Sequence, residues 1–197
     1  MPSLFTQPTY ALTFVIVMII WATPDVIDSI WRHPKGSTVI VRERGSHWFF
    51  RIGLSLAMFA AALLAFRQPE STLPYHRPYL FILGIALALA GFALRRWAIR
   101  TLGRFFTVDV ATYTDQRVID APPYRRIRHP SYSGSILSLL GTTLMLGHGL
   151  GLALVALAIV VTFGYRVRLE ERALLDALGD PYAAYMRRTK RFVPYLW

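Results

Sequence analysis

The length and spacing of the apolar runs limit this chain more than any other feature. A bilayer's hydrocarbon layer is crossed by about 20 mostly apolar residues. Four blocks of that kind follow one another: Tyr10 to Trp31, Trp48 to Phe66, Tyr79 to Trp97 and Ser135 to Tyr165. Hydrophobic residues make up 54% of the 197, above the usual share for soluble domains, and the excess sits in these blocks. The expected class is an all-α integral membrane protein. The chain has no cysteine, which excludes a disulfide framework and thiolate metal sites. His33, His47 and His76 show no ligand spacing, so no metal is expected.

The last block is too long for one ordinary span. Its middle reads Leu146-Gly147-His148-Gly149-Leu150-Gly151. Three interior glycines cost about 1 kcal/mol each relative to alanine, so a turn is expected here, with His148 exposed in it and two short helices forming a hairpin. Charge supports the same count. Of the 22 basic residues, 20 are arginine, and segments 32–46, 67–78, 95–133 and 166–197 hold four, two, eight and seven. Arg51 is the remaining one. The positive-inside rule places the rich segments in the cytoplasm. Segment 95–133 and the tail share that side only if the chain crosses twice between them. Five transmembrane helices follow, with the N-terminus outside and the C-terminus cytoplasmic. The arginines flank the apolar blocks, which suits anionic lipid headgroups rather than nucleic acid. No basic n-region or cleavage site opens the chain, so the first block reads as a retained helix. Its second half, with Pro24, Asp25 and Asp28, is expected to be irregular. Segment 99–133 is mixed and partly strand-like.

After residue 165 the chain turns amphipathic. Leu174, Leu175, Leu178, Tyr182, Tyr185 and Met186 recur at helical spacing. Gly179-Asp180-Pro181 reads as a C-cap followed by a new helical turn. A cytoplasmic amphipathic helical tail is expected.

Two stretches carry candidate chemistry. In Arg125-Arg126-Ile127-Arg128-His129-Pro130-Ser131-Tyr132-Ser133-Gly134, proline biases His129 towards an extended conformation. Tyr132 then opens a helix whose N-terminus favours an anionic group. A plain basic loop with a proline turn would read the same way. In Tyr165-Arg166-Val167-Arg168-Leu169-Glu170-Glu171-Arg172, Arg166 and Glu170 share a helix face, as do Arg168 and Arg172. Surface ion pairs explain Arg172 well. They explain Arg166 and Glu170 less well, because ionisable groups where a span leaves the bilayer usually pair or line a cavity. No glycine-rich phosphate loop or dinucleotide-binding fingerprint is present.

In this order the two stretches resemble the isoprenylcysteine carboxyl methyltransferase family of membrane enzymes; phospholipid methyltransferases share part of the pattern. The resemblance runs through Gln116, Val118-Ile119, Tyr124, Arg128-His129-Pro130-Ser131-Tyr132-Ser133-Gly134, Arg166 or Arg168, Glu170-Glu171, Leu174, Gly179, Tyr182, Tyr185 and Arg191 to Pro194. It covers roughly Leu102 to Pro194. Pro122 stands where the family usually has glycine.

One domain over 1–197 is expected, with three spans in 1–98 from the apolar blocks and, as the resemblance implies, a cofactor-binding half in 99–197. The resemblance also implies S-adenosylmethionine as cofactor and a lipophilic or lipidated acceptor that enters from the bilayer. Gln116, Tyr124, His129, Pro130, Tyr132, Glu170 and Glu171 are the implied cofactor residues. Tyrosine faces and carboxylates suit a sulfonium cation. Arg166 and Arg168 are the candidates to grip an acceptor carboxylate, because guanidinium binds it bidentately at any working pH. Methyl transfer to a carboxylate needs alignment and no base. A phospholipid amine acceptor would instead need one, such as Glu170, Glu171 or His129. An NADPH-dependent reductase and a lipid-binding scaffold are the remaining readings. A monomer in a prokaryotic inner membrane is expected.

Overall fold

The structure, a computed structural model, describes residues 8–31, 39–43, 45–68 and 77–193. His33, His76 and Pro194, and the side chains of Asp25, Asp28 and His47, lie outside what it describes. Helix α1 spans Pro8–Trp31, and strand β1 spans Val39–Glu43. Helices α2 (Ser46–Arg67) and α3 (Arg77–Leu102) follow. A 3-10 turn (Gly103–Phe105) and strand β2 (Val110–Tyr113) lead to α4 (Pro130–Leu146), α5 (Gly149–Leu178) and α6 (Asp180–Arg188).

The chain is mostly helical but not wholly so. β1 and β2 pair antiparallel, with Ile40 opposite Thr112 and Val41 opposite Ala111. Both segments are rich in β-branched residues, which favour a pleated, half-buried ladder. This small sheet corrects the all-α expectation. Helix α1 stays helical through Pro24 to Trp31, where irregularity was expected. Among the described residues three helical segments are long and apolar enough to cross a membrane: Trp48–Arg67, Pro78–Phe105 and Gly149–Leu178. Trp48, Phe49, Ile52, Leu56, Phe59 and Phe66 on α2 are all exposed, a surface suited to lipid rather than water.

Small residues bring α3 and α4 into close contact. A Cβ added at Gly91 would lie 2.5 Å from Gly134 O, and one at Gly84 2.6 Å from Gly141 O. Ser138 Oγ donates to Ala88 O at 2.9 Å in the same seam. Backbones approach this closely in membranes where the interface lacks side-chain bulk. On the other side, α2, α4 and α5 share a core of Leu54, Ala61, Leu139, Val155, Ile159 and Phe163.

The expected hairpin turn falls at Gly147-His148, but its arms are not two short helices. α4 has 17 residues and α5 has 30. No helix breaker interrupts α5 after Gly164, and its strong helix formers carry it through Arg166 to Leu178. His148 is buried at 3% exposure, not exposed. Its Nδ1 accepts from Gly151 N at 3.1 Å and caps α5. Gly147 takes the left-handed φ of 65° that ends α4. At the far end Gly179 (φ 58°) closes α5, and α6 starts with proline in its first turn.

Candidate functional site

A cavity of about 380 Å³ lies among α2, α4, α5, α6 and the loop 105–119, within the size range of small-molecule sites. Pro130 sets the geometry of the residues beside it. As the first residue of α4 it needs no amide partner and pushes His129 out of helical geometry, to φ −121°. His129 therefore caps the helix while Tyr132, one turn on, faces the cavity.

Tyr132 OH donates to Glu170 Oε2 at 2.7 Å and accepts from Arg166 Nε at 3.0 Å. The spacing of Arg166 and Glu170 along α5 puts both on one face, and Tyr132 bridges them. Arg166 also donates to Ser46 Oγ at 3.1 Å and to Val108 O, and it lies 5.8 Å from the Phe50 ring centre. It thus ties α2, α4 and the cavity loop together. The His129 ring stacks on Tyr132 at 5.5 Å, and Phe163 meets Tyr132 edge-on at 5.4 Å.

The two adjacent glutamates do different work. Glu170 lines the cavity with a side chain 32% exposed. Glu171 is turned away and buried, 6% exposed, within a ring of positive groups. Arg128 Nε donates to Glu171 Oε1 at 3.0 Å, Arg191 Nη2 donates to Oε2 at 2.8 Å, and His129 Nε2 lies 3.3 Å from Oε1. A His129 tautomer with Nε2–H donates to this carboxylate, leaving Nδ1 4.0 Å from Glu170 Oε2. Glu171 also holds the C-terminal strap in place. Arg128 N donates to Lys190 O at 2.7 Å, and His129 N to Arg191 O at 3.0 Å.

Of the residues expected from sequence, Gln116, Tyr124, His129, Tyr132, Arg166 and Glu170 meet at the cavity. Pro130 and Glu171 support it without lining it, and Arg168 is exposed on another face of α5. Tyr124 is buried, its hydroxyl donating to Ala98 O at 3.3 Å, and burial pushes its phenol pKa well above the ordinary value. Gln116 Oε1 accepts from Tyr113 N at 3.2 Å, which leaves its amide N–H groups available to the cavity. Sequence reasoning missed Phe50, Arg95 and Thr112, all of which line the cavity. Nothing local marks them, because loop and helix packing alone bring them there. Thr112 is 1% exposed, and its Oγ1 has no hydrogen-bond partner among the described residues. A buried hydroxyl of this kind calls for a ligand or water.

These groups fit S-adenosylmethionine. Aromatic faces and the Glu170 carboxylate suit a sulfonium cation. The Thr112 hydroxyl and the Gln116 amide are placed at the cavity and would suit its polar ends.

The Isoprenylcysteine carboxyl methyltransferase (ICMT) family matches residues 83–176. A probable protein-S-isoprenylcysteine O-methyltransferase of Oryza sativa subsp. indica is 30% identical over 149 residues, which is 74% of this chain and 75% of that protein. Protein-S-isoprenylcysteine O-methyltransferase B of Arabidopsis thaliana is 30% identical over 115 residues, 57% of this chain and 58% of that one. A solved eukaryotic intramembrane Ras methyltransferase, an isoprenylcysteine carboxyl methyltransferase, superposes with TM-score 0.64 at 26% identity. That match covers 72% of this chain and 52% of the solved one. The class common to these proteins is the membrane methyltransferases. Within it, this chain belongs to the isoprenylcysteine carboxyl methyltransferase family.

Proposed function

We propose that this chain transfers the methyl group of S-adenosylmethionine to the carboxylate of a lipophilic acceptor of the isoprenylcysteine type. The bridge from Arg166 through Tyr132 to Glu170 inside the cavity carries this reading. It sets a carboxylate and an aromatic face where a cation is held, beside a guanidinium that favours an anion.

S-adenosylmethionine, when bound, supplies an electrophilic methyl on a positively charged sulfur. Transfer of that methyl to a carboxylate oxygen would neutralise both the sulfonium and the carboxylate, so the site has to accommodate one cation and one anion side by side. No proton moves, so the chain's residues need only bind and align. Glu170 and Tyr132 hold the sulfonium end. Gln116, Thr112 and His129 offer hydrogen bonds to the polar remainder. Arg166 holds Tyr132 in place and sets a positive field at the acceptor carboxylate. Phe50 and Phe163 exclude water. Arg51, Arg95 and Arg166 all line the cavity, which opposes a protonated amine acceptor. Arg168, exposed and away from the cavity lining, is given no role in this reading.

The reading includes five crossings and a cytoplasmic C-terminus in a prokaryotic inner membrane. The charge counts of the loops support that topology.

Calorimetry on the detergent-purified protein tests the proposal. S-adenosylmethionine is expected to bind, and a Tyr132→Ala/Glu170→Ala variant to lose binding. Methylation of an S-farnesyl cysteine carboxylate is expected to follow. Folded protein that does not bind S-adenosylmethionine overturns the reading.

A further inference from the structure

Five guanidinium groups line the cavity: Arg51, Arg95, Arg117, Arg128 and Arg166. Three are engaged by the protein. Arg166 serves Tyr132, Ser46 and Val108. Arg128 serves Glu171 and the carbonyls of Met186 and Thr189. Arg95 donates to Ser135 Oγ at 2.8 Å and to Ser131 O at 3.4 Å. Arg117 is exposed on the loop that joins β2 to α4. Arg51 differs from the three engaged arginines in having no protein partner among the described residues, and from Arg117 in standing on a span. It lies inside a span and lines the cavity, yet among the described residues it has no hydrogen bond, ion pair or ring contact.

Its place in the fold gives that charge a direction. Arg51 follows Phe50, whose ring lies under Arg166. It stands five residues beyond Ser46, roughly 8 Å further along the helix axis. Ser46 is the α2 residue that Arg166 holds. Arg51, Ser55 and Val26 are all exposed, and all line the cavity. The cavity therefore has exposed lining residues on both α1 and α2, beside the first turns of the α2 span. Arg51 stands three residues past the start of the span at Trp48, and an ionisable group of a span that lines a cavity without a partner among the described residues points to a functional position.

We propose that Arg51 recognises the carboxylate of the membrane-borne acceptor at this side of the cavity, and that it separates the acid substrate from its ester product. The inference rests on the carboxylate acceptor proposed above. Before transfer the acceptor carries a negative charge that Arg51 can pair with. Afterwards the ester is neutral and the pairing is gone. Arg51 thus retains substrate and releases product into the bilayer. Snorkelling towards a lipid phosphate is the other use of an arginine at such a position, and it predicts no preference between acid and ester.

The test measures binding, by thermophoresis in neutral detergent, of an S-farnesyl cysteine carboxylate and of its methyl ester. Wild type, Arg51→Gln and Arg51→Lys are compared, with the melting temperature in the same detergent as the check on folding. Wild type is expected to bind the acid at least tenfold more tightly than the ester. Arg51→Gln is expected to abolish the ratio while keeping cofactor binding, and Arg51→Lys to restore part of it. In turnover, Arg51→Gln is expected to raise the acceptor KM about tenfold and to leave product inhibition by the ester unchanged. Equal binding of acid and ester by wild type overturns the inference, as does an acid preference that survives in Arg51→Gln. Acid selectivity that depends on Arg51, in a protein that neither binds S-adenosylmethionine nor methylates, would overturn the proposed reaction and keep the role of Arg51.

Discussion

The Tyr132 hydroxyl stands between opposite charges on one helix, 2.7 Å from Glu170 Oε2 and 3.0 Å from Arg166 Nε. Tyr132→Phe removes both bonds and keeps the ring packed against His129 and Phe163. Hydrogen bonds to charged groups contribute about 1.5–3 kcal/mol. kcat/KM for methyl transfer is therefore expected to fall roughly 10- to 100-fold, read from steady-state kinetics. Activity equal to wild type would mean that the bridge has no part in the reaction.

Adjacent glutamates should separate cleanly. Glu171 is enclosed by Arg128, His129 and Arg191, whereas Glu170 faces the cavity. Removing one charge from a buried cluster costs about 3 kcal/mol or more. Glu171→Gln is expected to lower the melting temperature in detergent markedly. Glu170→Gln should leave it nearly unchanged but weaken S-adenosylmethionine binding. The reverse pattern, from thermal shift and calorimetry, would exchange the roles assigned to the two residues.

The α3–α4 seam leaves no space for an added methyl. At Gly91 a Cβ would meet Gly134 O and Ser138 N, both at 2.5 Å. These are backbone atoms and cannot rotate away. Gly91→Ala should cost about 1–3 kcal/mol through overpacking and displace the turn of α4 that carries Tyr132. Loss of both stability and cofactor affinity is expected. The same substitution at Gly164, where nothing lies within 4 Å of the added Cβ, serves as the control.

Alkaline pH should loosen the C-terminal half. Tyr185 OH donates to Tyr124 O at 2.7 Å. Burial first, then the nearby Asp120 charge, raises the Tyr185 pKa. Burial likewise raises Tyr182 and Tyr124. The folded state holds these phenol protons more tightly than the unfolded chain. Their contribution is complete below the ordinary tyrosine pKa of about 10 and declines as pH rises above it. The melting temperature is expected to fall between pH 10 and 11, and less steeply in Tyr185→Phe. Equal slopes in the two proteins would remove Tyr185 from the cause.

The membrane class, the turn at Gly147-His148, the break at Gly179 and six of the residues that line the cavity were legible in the sequence. Each of these follows from local rules. Apolar run length matches bilayer thickness, glycine alone tolerates left-handed φ at little cost, and residues four apart share a helix face. The sequence was silent where distant segments choose their partners. Thr112 enters the cavity because β2 pairs with β1, whose residues precede it by about seventy positions. Phe50 and Arg51 reach it because α2 packs on α5. Glu170 and Glu171 have the same side chain in neighbouring positions, and a helix turns consecutive residues by about 100°. Only the packing of α5 against α4 and the C-terminal strap decided which carboxylate faces the cavity and which is enclosed by arginine. Burial and charge pairing are properties of the assembled neighbourhood, and no local pattern encodes them.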